Sequence, residues 1–596
     1  LQRRRTALYY RHIPPPRDAA DKKKGASMSL DFPARTTVAA VAAVLFCAPA
    51  LIAPAPALAQ GAAASAECPL GRSLLLVNGK IHTMDSRDSV VSSVLTDGNR
   101  FAATGGKTQP GPCIQRIDLK GRTVVPGLID NHNHVVLLGL RPGHDTRLEN
   151  AQSMADVLAT LGEKAKSVPA GEWITSIGGF DINQFTPAPA PVRFPTLQEL
   201  DTVTPSHPVF IQQSFAGPSV TNSLGKAFFE SKGIEVGADG ALAGGFQTPN
   251  STTRALFALR QMQTLDDMKR GTLDAQRYAA SLGVTTHLDE GAFPASGLDA
   301  DGAAHADEYH VYDALLALFH EGRLINRYRV DFLTMEADVN TPHLRARLSN
   351  AFPKFGADML KTVGIGEFTA GDSAIIGAAS PAWENGTKLV AQAGWRNENH
   401  SLTPMDYKVI IDGWEKLNAS LPPPGITQLR WVVAHVPFIT REYADKLKAL
   451  GGGVSVLGGW RYISGTAQQN GPPFKMLKDS GIPMGMSSDG MQISPMNPWL
   501  GLYYVVTGRN ARGELINADQ TLNRDDAIHL YTAANGWFLG EEKLLGTIEP
   551  GKYADLVVLS ADYFDATAVS DDAIKKIHSV LTVVDGKIVH GDPAKL

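Results

Sequence analysis

From residue 123 to residue 487, short apolar runs alternate with stretches of helical periodicity. This alternation restricts the chain to a parallel sheet whose strands are joined by crossover helices. The runs cover 123–129, 284–288, 328–334, 358–363, 394–399, 430–434, 453–457 and 483–487. Eight parallel strands are what a (β/α)8 barrel of the TIM type requires to close. The gap between the first run and the second is too long for a single crossover, so about 140–270 is expected to be an inserted subdomain. Within it, the Pro-rich patch 187–195 reads as a surface loop.

The two ends of the chain have a different texture. Short strand patterns at 73–77, 80–84, 90–95, 101–104 and 114–119 are separated by Asn78-Gly79, Asp97-Gly98 and Gly105-Gly106, where positive φ is inexpensive. The C-terminal end repeats the pattern at 556–559, 579–584 and 587–589, with Asp585-Gly586 as a turn. One composite β-sandwich domain, built from 68–122 and 546–596, is therefore expected beside a barrel spanning 123–545.

The chain carries a net charge of -4 over 596 residues, with no basic field to draw phosphate backbones, which argues against a nucleic-acid partner and for a small-molecule substrate. Residues 1–59 read as an N-terminal extension followed by a secretory signal peptide. Met28 and Arg35 precede the apolar run 38–53, and Ala57-Leu58-Ala59 has the small-x-small form of a cleavage site. The alternative, a membrane anchor, is disfavoured because the run is shorter than the roughly 20 apolar residues of a spanning helix. The protein is thus expected to be exported, to the periplasm, with no stable anchor after cleavage; self-association into a homo-oligomer stays open. Cys47 would leave with the leader, and Cys68 and Cys113, flanking strands of one small domain in an oxidising compartment, could then pair.

The chemistry concentrates at strand ends. The segment 123–134 is a buried strand ending in His132-Asn133-His134, and period-two alternation sends both imidazoles to one side, where they can share a metal. Active sites of such barrels lie at the C-terminal ends of the strands. Lys361, His400, His435 and Asp489 follow as candidates on later strands. A lone strand-end histidine is more often a hydrogen-bonded core residue, and an Asp before Gly is usually a turn residue; several together after a His-x-His argue for a site.

The order His-x-His, Lys, His, His, Asp resembles the amidohydrolase superfamily. The stretches Gly481-Ile482-Pro483, Ser488-Asp489, Ser494-Pro495-Met496-Asn497-Pro498-Trp499 and 546–559 resemble its YtcJ-like branch, amidohydrolase family 3. The resemblance implies a metal-dependent hydrolase in which one or two divalent ions, zinc by the chemistry of the donors, are held by His132, His134, Lys361, His400, His435 and Asp489. Asp489 would accept and return the proton of the attacking water, with His435 beside it at the reacting centre. Lys361 can join only as a carboxylated side chain bridging two metals, because an ammonium cannot bind a cation. The run Gly364-Ile365-Gly366-Glu367 after it departs from the branch's Asp-Gly pattern, and a lysine merely paired to a carboxylate is the other reading.

His287 and Asp289, at the end of the second run, are candidates for orienting the ligands. Trp460, Arg461 and Trp499 are candidates for the substrate pocket, Arg461 suiting a carboxylate, against the plainer reading of a surface salt bridge. Hydrolysis of a C–N bond in an amide, carbamate or cyclic amide is the expected activity. An esterase or phosphotriesterase on the same metal centre, or a periplasmic binding protein without chemistry, are the alternatives.

Overall fold

The computed structural model describes residues 73–106, 111, 113–185, 192–214, 217–245, 249–291, 310–371, 380–490 and 492–596. The leader and extension over 1–59, Cys68, and residues 187–191 of the Pro-rich patch lie outside them. Cys113 is disulfide-bonded. Among the described residues no helix is long and apolar enough to cross a membrane.

The barrel strands are β1 (Leu128–Asn133), β2 (Val284–Asp289), β3 (Arg327–Phe332), β4 (Leu360–Ile365), β5 (Arg396–Asn399), β6 (Val432–His435), β7 (Gly453–Leu457) and β8 (Met484–Ser487). Each pairs in parallel with the next in chain order. The barrel is nearly closed: Asp489 N donates to His132 O at 2.9 Å and His134 N to Gly490 O at 2.8 Å, tying the exit of β8 to the end of β1.

The crossover helices are cut by local signals. Helix Leu265–Leu282 opens on Thr264, whose hydroxyl accepts from Asp267 N while the Asp267 carboxylate accepts from Thr264 N; it closes on Gly283 at φ 91°. Helix Pro404–Ser420 begins with the same reciprocal cap between Thr403 and Asp406.

The apolar run 123–129 is two strands rather than one. Thr123–Pro126 joins the sheet of the chain ends, and β1 starts afresh at Leu128. Gly127 lies between them so close to β2 that a Cβ there would stand 2.1 Å from Thr285 Oγ1. A single residue without a side chain thus lets one run serve two sheets.

The composite domain is an eight-stranded sheet drawn from both chain ends. Its long strand Ser73–His82 has an irregularity between Val77 and Ile81. It pairs in parallel with Ile114–Asp118 on one half and with Thr123 and Val124 on the other. Leu556–Leu559 then pairs with Thr123–Pro126, so the C-terminal strands are wedged against N-terminal ones. Leu74, Leu76, Ile81, Val94, Phe101, Leu556, Val558 and Leu581 fill its core.

Between β1 and β2 a five-stranded sheet forms, in the order Ala241–Leu242, Ser219–Thr221, Val209–Gln212, Ile174–Ile177, His144–Asp145. It docks on the loops after β7 and β8: Gly179 N donates to Gln492 O, Gln152 Nε2 to the Tyr462 hydroxyl, and Met496 N to Glu149 Oε2. The insertion therefore lies against the C-terminal rim of the barrel.

Candidate metal centre

At that rim, β1, β5, β6 and β8 deliver His132, His134, His400, His435 and Asp489 to one place, and the turn after β4 adds Glu367. Three-residue groups drawn from these six have ligand atoms within 4.8 Å of one another: His132, His435 and Asp489; His132, His134 and Glu367; Glu367, His400 and His435. Glu367 is common to two of them. Its Oε1 lies 3.3 Å from His134 Nε2, and its Oε2 lies 2.8 Å from His400 Nδ1, 3.2 Å from His435 Nε2 and 3.5 Å from His132 Nε2. Asp489 Oδ1 stands 3.5 Å from His134 Nε2 and 3.8 Å from His132 Nε2, while Oδ2 stands 3.8 Å from His435 Nε2.

The side chains are aimed from behind. His132 Nδ1 is 2.6 Å from Glu398 Oε1, and His134 Nδ1 is 2.8 Å from Gly291 O. Partners at Nδ1 leave each Nε2 turned to the shared space, the arrangement by which histidine ligands are oriented. Arg396 braces Glu398 and Asp331 in turn, all three buried. His435 and Asp489 sit at φ 69° and 46°, in the left-handed region that non-glycine residues occupy at a cost, so the loops after β6 and β8 are held in strained turns where the cluster forms.

Burial pushes the Asp489 carboxyl up, but His435, His134 and His132 outweigh it and hold the group below the usual carboxylate range. Burial likewise opposes ionisation of Glu367, and His400, His134 and His435 overcome it. Glu290, enclosed with Asp331 and Glu398, is pushed well above its ordinary value by burial and by those neighbours.

The donor set fits a divalent metal. Four imidazoles and two ionised carboxylates converge, and His132 Nε2 is buried with no hydrogen-bond partner, as an atom kept for a metal would be.

Lys361 is not part of the cluster. It is the second residue of β4, at the opposite end of the strand from the site, and its Nζ is paired to Glu541 Oε1 at 3.1 Å and Asp358 Oδ1 at 3.3 Å. Six residues of extended chain, about 20 Å, separate it from Glu367. The carboxylated-lysine bridge is therefore corrected: an ammonium held by two carboxylates is a structural ion pair, and Glu367 occupies the shared position. The reason lies in strand length. The fourth run continues to Ile365 rather than ending at 363, so the residue that reaches the rim comes later. Gly366 permits the approach, since a Cβ there would meet Glu398 Cβ and Glu290 Oε2 at 2.8 Å. A carboxylate just past a buried strand, after a glycine, was the available signal.

His287 and Asp289 act behind the ligands. His287 Nδ1 is 3.0 Å from Asn133 Nδ2, and Asp289 accepts from Val136 N at 2.8 Å and Gly291 N at 2.9 Å, bracing both flanks of His134. Burial lowers His287 to about 3 and raises Asp289 to about 7. Trp499 does not line a pocket: it is fully buried, with Nε1 donating to Leu282 O and its ring beside Tyr563. Trp460 and Arg461 stand together on the helix Gly459–Ser464 that follows β7. Glu398 and Arg396 escaped the sequence reading because their role depends on which strands are neighbours.

A model of the amidohydrolase family matches residues 115–590. The chain is 23% identical over 551 residues to the N-substituted formamide deformylase of Arthrobacter pascens, covering 86% of this chain and 98% of that protein. It is 22% identical to amidohydrolase YtcJ of Bacillus subtilis, with the same coverages of 86% and 98%. An uncharacterized metal-dependent hydrolase from Pyrococcus horikoshii shares the fold, at TM-score 0.55 and 20% identity, over 84% of this chain and 99% of that one.

Proposed function

The chain belongs to the amidohydrolase family, a family of metal-dependent hydrolases, and from that premise we propose that it cleaves a C–N bond of a small molecule, an amide, carbamate or cyclic amide, at the six-residue cluster. The supporting observation is the position of Glu367, whose two oxygens lie within 3.5 Å of nitrogens from all four histidines. His132, His134 and Asp489 would hold one divalent ion and His400 and His435 a second, with Glu367 shared between them. An ion held there, zinc by the match of imidazole and carboxylate donors, supplies Lewis acidity and brings the pKa of water to about 7.

Asp489 is placed to do the proton work. Its carboxylate is buried, held ionised by neighbouring imidazoles and carried on the turn after β8. It would take a proton from the attacking water at an Oδ atom as the new C–O bond forms, and would return it to the leaving nitrogen as the C–N bond of the resulting tetrahedral adduct breaks. Glu398 and Gly291 O keep His132 and His134 turned inward while this happens. The similarity to a formamide deformylase makes N-substituted formamides the first substrates to try.

The test is a panel of N-substituted formamides, N-acyl amino acids, carbamates and aryl esters, offered to metal-reconstituted protein and to Asp489→Asn. We expect turnover of a C–N substrate, reduced roughly 100-fold or more in the variant with metal content retained. Hydrolysis of esters alone would move the reading to an esterase; undiminished turnover by Asp489→Asn would remove the assigned proton carrier. Export to the periplasm is also part of this reading, resting on the 28–59 leader pattern, and cell fractionation with N-terminal sequencing tests it.

A further inference from the structure

Three deeply buried arginines among the described residues are paired. Arg327 holds Asp555 and Asp585, Arg329 holds Glu541, and Arg396 holds Asp331 and Glu398. Arg461 differs. It is 3% exposed, yet its guanidinium makes no ion pair among the described residues; Nη1 reaches Gln469 Oε1 only at 3.5 Å, and Nε has no hydrogen-bond partner. Its nearest charged-face neighbours are aromatic: the Trp460 ring centre lies 4.2 Å from Cζ and that of Phe438 5.9 Å. Burial pushes the group below its ordinary value, with only Tyr504 opposing.

Arg461 lies on the C-terminal rim of the barrel, the rim that also carries the candidate metal centre. Phe438 stands three residues beyond His435 on the loop leaving β6, and the helix bearing Arg461 starts two residues after β7 ends. Ser494 Oγ, buried and also without a partner, faces Gly459 in the first turn of that helix. A guanidinium cannot shed its proton, and an unpaired one is costly to bury. A planar fork between aromatic faces is shaped to take a planar carboxylate through two N–H groups.

We propose that Arg461 receives a carboxylate of the substrate, so that the substrates are N-acylated, carboxylate-bearing molecules with an apolar side chain against Trp460 and Phe438. This rests on the hydrolase reading above for where the scissile bond lies, but it can be tested without turnover. Calorimetric titration of the metal-loaded protein with N-acetylphenylalanine and with its carboxamide separates charge from shape. The carboxylate is expected to bind roughly 10- to 100-fold more tightly than the carboxamide, and Arg461→Gln should erase that preference while leaving carboxamide binding unchanged.

Thermal unfolding without ligand is the companion measurement. A reserved, unpaired charge predicts that Arg461→Gln melts no lower than the wild type, whereas a structural arginine would lower the melting temperature; Arg461→Lys should keep part of the preference. Equal binding of the two ligands, no measurable binding of the carboxylate, or an equal loss of both in Arg461→Gln would overturn the proposal. If the preference appears but no C–N substrate turns over, the bond assignment fails and this inference stands. If C–N substrates turn over without preference for the carboxylate, the reverse holds.

Discussion

Glu367 Oε1 faces His134, and Glu367 Oε2 faces His132, His400 and His435, so one side chain touches ligands from three strands. Replacing it by Gln removes the charge that holds four imidazoles together and leaves the shape. Lys361, by contrast, is partly buried and paired to Glu541, which keeps Arg329 as a partner when the lysine is removed. Lys361→Gln should keep metal content and turnover, and cost about 1 kcal/mol or less in chemical denaturation. Glu398→Gln removes the carboxylate behind His132 Nδ1. It should weaken metal affinity roughly 10- to 100-fold in chelator competition while substrate preference is unchanged; unaltered affinity would mean that Glu398 does not orient His132.

Strand ends decided how much could be read from sequence. His132, His134, His435 and Asp489 are legible because each follows an apolar run that ends in a change to polar residues, whereas His400 follows the polar strand Arg396–Asn399 and is legible only from its place in the order of candidates. β4 has no such mark: Gly364 and Ile365 continue the strand past 363, and the ligand-bearing turn moves to Glu367. The run 123–129 fails in the opposite sense, since nothing in its composition shows that Gly127 divides it between two sheets. Close approach to Thr285 makes that glycine irreplaceable. Gly127→Ala is expected to destabilise by about 1–3 kcal/mol through overpacking and to lower the melting temperature without altering the ligands. An unshifted transition would show that β2 can retreat.

For the described part of the molecule, the barrel and the composite domain are joined by buried charge as well as by β pairing. Arg327, at the N-terminal end of β3, reaches Asp555 at 2.6 Å, just before the strand Leu556–Leu559, and Asp585 at 3.0 Å, in the turn after Ser579–Val584, and burial of the guanidinium is offset by both. Arg327→Met leaves two carboxylates without their partner. It should cost about 3–5 kcal/mol in denaturant unfolding, with barrel and end domain still melting together. This long-range pairing was not legible, because it joins residues more than two hundred positions apart. The central claim, that Glu367 and not Lys361 completes the metal centre, is tested most directly by elemental analysis of purified wild type, Glu367→Gln and Lys361→Gln. The account predicts full metal content in wild type and Lys361→Gln and a loss of metal in Glu367→Gln; metal lost from Lys361→Gln and kept by Glu367→Gln would contradict it.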